Sequence, residues 1–462
     1  MASAITAPTY DPATTAAALA EKYTAARQQI LDTQTKTATA TEAGLTQLSS
    51  ALSAFQTSLA SLSSVGKTVF AQSAVFGDTG VGSATAGPTA AAGSYAFFVK
   101  QLATASQVSY TGLSDNTGVG GTLQIRMGGV PAFDIDMTAA NTDGGALTTR
   151  ELAAAINGAT GNAGKLTASI VTTGTTSELV LTAKDTGAAS AITLVTTGIT
   201  GTSSLAAANL DAARRRTLVA AQDAEIRVGS ETGTAITQAS NTFTNIDGVK
   251  MTFTKAQATG SAPVTLTVAA DNAGTTANVQ AFVDAFNKLK AALNKLTDPG
   301  DPSKGVTGGT FAHDGGIRAL NTRLTALLRP AGADSLAAYG IIATREGTLE
   351  LRSDRLLSQL ARNPNGLDGL IGSASKSAPT GIAGALETYL NSWSNSVDGQ
   401  IKGRKDATST LQSTMVDRQT KLDQQYDAAY QRYLLQFTQL QTMQSSMNSN
   451  VSLFDALFGN KD

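Results

Sequence analysis

The chain has 462 residues, a net charge of -1 from 34 Lys and Arg against 35 Asp and Glu, and no cysteine. Its length suggests about three domains, and a hydrophobic content of 42% suffices to bury real cores. The charge balance leaves no footprint for nucleic acid, and the missing thiols exclude disulfides, thiolate catalysis and cysteine-zinc sites.

No Lys or Arg precedes Lys22, and Pro8 and Pro12 interrupt any apolar stretch of a secretory signal. No segment approaches the ~18 continuous apolar residues of a membrane span. Export, if it occurs, is therefore expected to leave no cleaved signal. Asp11-Pro12 reads as an N-cap followed by proline at the first helical position. The helical pattern then runs to about Val65, a length of ~80 Å at the usual rise. Leu45, Leu48, Leu52, Phe55, Leu59 and Leu62 follow a 3-4-3-4-3 spacing, which is a heptad seam. Before Gly44, Thr, Gln and Ala stand where Leu or Ile would stabilise a coil. Residues 1–43 are therefore expected to be a leg helix that is disordered in the free protein.

Gly77 to Gly93 is rich in Gly, Ala, Ser and Thr and reads as a linker. A strand is expected from Tyr95 through Ala103 to Val108. Leu123, Ile125 and Met127 alternate with polar residues, as do Phe133, Ile135 and Met137, with Gly128-Gly129 between them to turn the chain. Glu151 to Ile156 reads as a short helix ended by Asn157-Gly158. Leu166 to Val171 and Glu178 to Thr182 read as a hairpin around Gly174. Alternation returns at Val249, Met251 and Phe253, and again at Val264, Leu266 and Val268.

From about Thr276 the 3-4 rhythm resumes at Val279, Phe282, Phe286, Leu289, Leu293 and Leu296. Ile317, Leu320, Leu324 and Leu327 mark another helix. Glu346-Gly347 signals a small hairpin, and Asn363-Pro364 closes the helix after it. A last helix is expected from about Arg404 to Val451, with Leu411, Met415, Leu422, Ala429, Tyr433, Leu440, Met443, Met447 and Phe454 on 3/4 spacing.

The expected fold is α+β and multidomain: long terminal helices of coiled-coil type, a helical bundle body, and two nested β-rich domains inserted in it. The boundaries read as 1–43 for the N-terminal leg, 44–75 with 275–403 for the helical body, 76–110 with 215–274 for a β-rich domain, 111–214 for the nested β-rich domain, and 404–462 for the C-terminal leg. Helices this long cannot bury a seam along their whole length in one small domain, so partner helices are expected for the two ends. Internal packing is the competing reading, and it is preferred for Val279 to Leu296.

No constellation supports catalysis. His313 is the only histidine, so HExxH zinc sites are excluded, and no GxSxG accompanies it. Gly77 to Ser83 echoes a phosphate loop but has Ser83 where lysine is needed. Asp134 with Asp136 reads as a soluble strand face, and Asp298 with Asp301 as turn formers, so no metal or cofactor is expected. Arg214-Arg215-Arg216 reads as a solvated charge run.

Several segments resemble flagellar hook-associated protein 2, the family of flagellar filament caps. They include Phe98 to Ala103, Asp223 to Ile226 with Ser240 to Phe243, Phe282 to Leu289, Gly340 to Leu351 and Arg432 to Met447. Residues 121–195, notably Leu147 to Asn157 with an Ala-Ala-Ile-Asn core, resemble the flagellin and hook "IN" motif. Phe286 replaces the family's usual Tyr and Glu346 its usual Asp. The segments follow one another in the family's order across nearly the whole chain.

The resemblance implies a non-enzymatic protein that leaves through the flagellar type III channel and sits extracellularly at the distal tip of the flagellum. It implies a ring of copies of the chain, usually five and sometimes four or six. The ring would retain exported flagellin and promote its polymerisation, above a hook-filament junction protein. The leg seams expected to meet other copies or the filament are Leu45, Leu48, Leu52, Phe55, Leu59 and Leu62, and Leu422, Tyr433, Phe437, Leu440, Met443 and Met447. Phe454, Leu457 and Phe458 are expected to dock a cytoplasmic export chaperone. A surface adhesin, as a second role or an alternative, and flagellin itself are the competing readings.

Overall fold

The computed structural model describes residues 11–173, 176–329 and 335–458. Helix α1 spans Pro12–Ser63, and the Asp11 carboxylate caps it by accepting from the backbone N–H groups of Ala13 and Thr14. Residues 12–43, expected to lack order, continue as helix into the Leu45 seam. Residues 1–10 lie outside the described residues.

Strands β1 (Gln72–Phe76), β2 (Gly82–Ala86) and β3 (Gly93–Gln101) follow. Two expectations are corrected here. Residues 72–75 are sheet, not helical body, and the supposed linker contains β2. That strand carries no apolar alternation, because its residues serve close approach. A Cβ at Gly82 would meet the Thr252 carbonyl oxygen at 2.4 Å.

Strand β3 stops at Gln101 instead of running to Val108. The chain then enters a second β body: β4 (Gln107–Tyr110), β5 (Gly120–Met127), β6 (Val130–Asp136), α2 (Met137–Ala140), α3 (Thr149–Gly158), β7 (Leu166–Thr173), β8 (Thr176–Ala183), β9 (Ile192–Val195), β10 (Ile199–Thr200), α4 (Ser204–Leu210) and β11 (Arg215–Val219). It returns through β12 (Ala224–Val228), β13 (Ala235–Gln238), β14 (Thr242–Ile246), β15 (Val249–Phe253) and β16 (Val264–Ala270). Helix α5 (Asn272–Thr297), α6 (Gly315–Leu327), the hairpin β17 (Ile341–Ala343) and β18 (Leu349–Leu351), α7 (Ser353–Arg362), α8 (Gly366–Ile371), α9 (Gly381–Ser394) and α10 (Gln400–Phe458) complete the chain. Helices α8 and α9 had no counterpart in the sequence reading.

Two compact units result. One is Phe70–Thr275, and the other combines the residues up to Val69 with those from Thr276 onward.

Within the Phe70–Thr275 unit, the outer body has a five-stranded sheet, β1-β16-β3-β12-β13, and a three-stranded sheet, β14-β15-β2. Between them Phe76, Phe97 and Phe243 all stand within 6.3 Å, centroid to centroid, of the Phe253 ring. The second body has the sheets β10-β5-β6, with β9 on β5, and β11-β4-β8-β7. It enters between β3 and β12, which pair with each other, and a bridge between Thr104 and Gln222 marks its neck. Strands β4 and β11 thus belong to the inner body, so its boundary falls at 104 and 222 rather than 111 and 214. Gly128 and Gly129 turn β5 into β6 with φ of 58° and 83°, as a two-residue primed turn requires. Gly174, expected at the β7–β8 turn, lies outside the described residues.

In the helical unit, Leu45, Leu48, Leu52, Phe55 and Leu59 of α1 are buried. The Phe55 ring lies 6.4 Å from Phe282 and 6.1 Å from Phe286 of α5. Helix α1 also meets α9, whose Ile382, Leu386, Leu390 and Trp393 are buried.

Four asparagines use one device, among them Asn162, which accepts from the Leu166 N–H and donates to the Leu166 carbonyl at 3.0 Å each way. An asparagine side chain has a donor and an acceptor in peptide-like geometry, so it can satisfy both backbone groups of a single residue. Asn287 does this for Leu349 at 2.7 and 2.8 Å. Asn157 does it for Ala168 at 2.8 Å each way, and Asn241 for Ala103 at 2.7 and 2.9 Å. Each asparagine belongs to a segment that carried the family resemblance.

Replacing Asn287 by Ala leaves the Leu349 N–H and C=O without these bonds and should cost about 1–3 kcal/mol, read as a lower denaturant midpoint of the helical unit. A second prediction concerns α3. Its cap Thr148 and Glu151 form a reciprocal capping box. The Thr148 backbone N–H, then the Thr142 backbone N–H and both threonine hydroxyls, hold the Glu151 carboxyl down at about 2. The resulting stabilisation is complete above the ordinary value of 4.5 and is lost as pH falls toward about 2. Glu151→Ala should therefore flatten the acid limb of the Phe70–Thr275 unit's unfolding curve across that window.

Candidate assembly surface on the terminal helices

Helices α1 and α10 pair antiparallel. Along α10 the buried positions are Ile401, Thr408, Met415, Leu422 and Ala429, each seven residues from the last. Along α1 they include Thr24, Leu31, Ala38 and Leu45, also seven apart. One row of each helix therefore faces the other, with Leu31, Ala38, Met415 and Leu422 as its apolar centre. This row supplies what the sequence of residues 12–43 lacks on its own. Small or polar side chains suffice there because the partner provides half the seam.

Amides rather than ion pairs line the flanks. Gln28 and Gln419 exchange two hydrogen bonds of 3.0 Å, which fixes the register. Arg27 donates to Gln425 at 2.6 Å, and Gln412 donates to Glu42 at 2.8 Å. Among the described residues no ion pair joins α1 to α10.

The root of α10 is anchored to the helical body. Arg404 grips Asp314 with both terminal guanidinium nitrogens and lies 5.6 Å from the centre of the Trp393 ring. Asp314 also caps α6 through the Ile317 N–H. Partial burial raises its carboxyl, but the Arg404 hydrogen bond, the Ile317 N–H and the Arg404 charge outweigh it and leave the group below the usual aspartate range.

Further along α10 the apolar row changes. Ala429 is the last member of the buried file, and seven residues on stands exposed Gln436. A different row takes over: Tyr426, Tyr433, Leu440, Met447 and Phe454, again seven apart. Tyr426, Tyr433 and Leu440 are half-buried, whereas Met447 and Phe454 are 56% and 63% exposed. Arg432 lies over the rings of Tyr23 and Tyr433 at 6.0 and 4.9 Å, and Tyr426 stacks on Tyr430 at 6.5 Å. A tyrosine and arginine level thus sits where the helix pair passes from buried row to exposed row.

The expected seam residues therefore divide. Leu45, Leu48, Leu52, Phe55 and Leu59 are buried in the chain's own helical unit, with Leu62 half-buried at its margin. Expecting them to meet a partner is corrected by that burial, because α5 and α9 already fill the facing space. Leu422 lies in the α1–α10 row. Tyr433, Phe437 and Leu440 are half-buried, and Met443, Met447 and Leu457 are exposed. The side chain of Phe458 lies outside the described ones.

His313 is exposed in a turn. Arg214 donates to the carbonyls of Thr111 and Gly112, and Arg216 pairs with Glu178 at 3.6 Å.

Two family models match the chain. The flagellar hook-associated protein 2 N-terminus matches residues 9–106 and the C-terminus of the same family matches 221–449. The stretch between them coincides with the inner β body. The chain is 31% identical to the lateral flagellar hook-associated protein 2 of Vibrio parahaemolyticus over 80% of this chain and 82% of that one. It is also 31% identical to the B-type flagellar hook-associated protein 2 of Pseudomonas aeruginosa, over 92% and 90%. The crystal structure of the D1-D2-D3 domains of the flagellar cap protein FliD from Escherichia coli superposes with a TM-score of 0.61 at 27% identity, covering 79% of this chain and 99% of that one.

Leu422→Ala should remove about 2 kcal/mol from the α1–α10 pairing. Amide exchange should then quicken in residues 12–40 and 410–430 while α5 and α9 stay protected. Raising salt should change exchange there little, since amides rather than charges flank the row.

Proposed function

We propose that this chain, which belongs to the flagellar hook-associated protein 2 family, caps the filament by using α10 as a leg against neighbouring helices. Membership carries a cap role at the distal tip of the flagellum. The finer reading is a ring of copies of this chain, five being the family's usual number and four or six the alternatives. It retains flagellin that arrives through the type III channel and steers each subunit into the open site. No bond is made or broken. Confinement and reversible leg contacts do the work, and the chain is read as non-catalytic.

The observation that carries this reading is the change of row on α10. A helix that buries one row and then changes to another, half-buried at Leu440 and exposed at Met447 and Phe454, has apolar surface suited to a partner helix. Met and Phe at the exposed positions suit a contact that must re-form as subunits are added. The same end is proposed to meet an export chaperone before secretion, through Phe454, Leu457 and Phe458, and the hook-filament junction protein before the filament grows. No helix among the described residues is long and apolar enough to cross a membrane.

The test is a chromosomal deletion complemented with wild type or with Leu440→Asp/Met447→Asp. The deletion should give hooks without filaments and flagellin free in the medium, and the double variant should be exported yet fail to restore filaments. Normal filaments in the deletion would reject the cap reading. Full rescue by the double variant would reject α10 as the contact.

A further inference from the structure

The paired stretch of α1 and α10 has two flanks, one on each side of its buried row, and they differ in charge. The first is made by the positions one before and three after each row residue, the second by those one after and three before. On the first, Arg27 of α1 stands beside Arg418 and Lys421 of α10, around a groove of about 310 Å³. On the second, Asp32 stands beside Val416 and Gln419, around a groove of about 510 Å³. Over residues 21–42 and 411–432 the first flank carries Arg27, Arg418, Lys421 and Arg432 and no carboxylate. The second carries Glu21, Asp32, Glu42 and Asp423 and no cation. One position further out, Asp417 borders the first flank, and Lys22, Lys36 and Asp427 border the second, with Lys36 reaching its groove. The first flank thus stays net positive and the second net negative. The segregation ends at the root of α10, where Lys402 and Lys405 take second-flank positions.

None of the flank charges forms an ion pair among the described residues, apart from the root. Arg27 and Arg418 donate to glutamines, Asp32 and Asp423 accept from them, and Arg432 lies over Tyr23. Each flank also exposes an apolar side chain, Ile30 at 60% on the first and Val416 at 67% on the second. The charges match in height as well as in sign. Gln28 opposite Gln419 and Arg432 beside Tyr23 set the register. On it Arg432 lies level with Glu21, Arg27 with Asp423, and Arg418 with Asp32, each to within about one helical turn.

A foreign acidic helix would complement the first flank and leave the second unanswered. A second copy of the same helix pair answers both. Set parallel and side by side, it lays its acidic flank on its neighbour's basic one and keeps its own basic flank for the next copy. Two-fold pairing of one flank with itself would oppose like charges. The contact is therefore heterologous, the kind that closes into rings. Exposed charge pairs are each worth little, so they set partner and register more than strength.

We propose that the basic flank of one leg receives the acidic flank of the leg of a second copy, with Ile30 and Val416 between the charges. The inference rests on the ring of copies proposed above and names a contact between its neighbours. It uses the paired part of the leg, not the exposed row beyond Leu440.

The absence of cysteine from the chain makes cross-linking clean. Full chains carrying Ile30→Cys or Val416→Cys are treated, mixed or alone, with a short flexible bis-maleimide. The mixture should give covalent dimer about tenfold faster than either variant alone, and in about 1 M salt, where charges are screened within ~3 Å, the excess should vanish. Arg418→Glu/Lys421→Glu on the Ile30→Cys chain should abolish the excess, and Asp32→Lys/Asp423→Lys on the Val416→Cys chain should bring it back. Recovery through the second reversal excludes misfolding as the cause of the loss. Sedimentation of the wild type separates this contact from the ring. An assembled wild type whose flanks do not cross-link overturns the contact and leaves the ring standing, whereas a monomer that does not cross-link overturns both. Either variant linking to itself as fast as to the other, indifference to the charge reversals, or linking only to added flagellin also overturns the proposal.

Discussion

One buried side chain per heptad of α10 holds that helix to α1, and the behaviour of the leg depends on that thin row. A full coiled coil buries two positions per heptad. Here α10 contributes Ile401, Thr408, Met415, Leu422 and Ala429, of which one is a threonine and one an alanine. Such a row is stable because it is anchored at its root. Arg404 is fixed to Asp314, and α1 continues into a body where Phe55 meets Phe282 and Phe286. Away from that root α1 buries only small side chains, Ala16, Ala20 and Thr24, and beyond Ala429 α10 presents its second row.

The body and the β unit solve a different problem, which is how loops and short strands dock without leaving buried peptide groups unsatisfied. Asn157, Asn241 and Asn287 answer it in the same way, each closing both bonds of one residue. Asn287 fastens the β17–β18 hairpin to α5, and Asn241 fastens the crossing after β3. This explains why three of the resembling segments, those with Asn157, Asn241 and Asn287, contain an asparagine beside apolar residues. The apolar side chains fill the core, and the amide fixes the neighbouring strand.

Nesting is also economical. The inner body leaves after β3 and returns into β12, and these strands pair with each other. Entry and exit therefore lie side by side, with Thr104 and Gln222 bridging the neck. The outer sheet stays continuous whatever the inner body contains. The family models match on both sides of this segment, in keeping with a body that can vary without disturbing its host.

The sequence by itself determined the helical ends, the alternating strands β5, β6, β15 and β16, the α1 cap, and the α+β order, because each is written in local spacing or in a cap a few residues long. It also carried the family, since short motifs in a fixed order need no contacts to be read. Tertiary structure decided the rest. Strand β2 has no apolar pattern and exists because β15 approaches its small residues. Residues 12–43 look weak alone and are helical against Met415 and Leu422. The Leu45 to Leu59 seam reads equally well as a partner surface, and only the presence of α5 and α9 across it makes it core. In each case the deciding atoms lie far away along the chain, and periodicity reports which face a residue occupies but not what stands opposite.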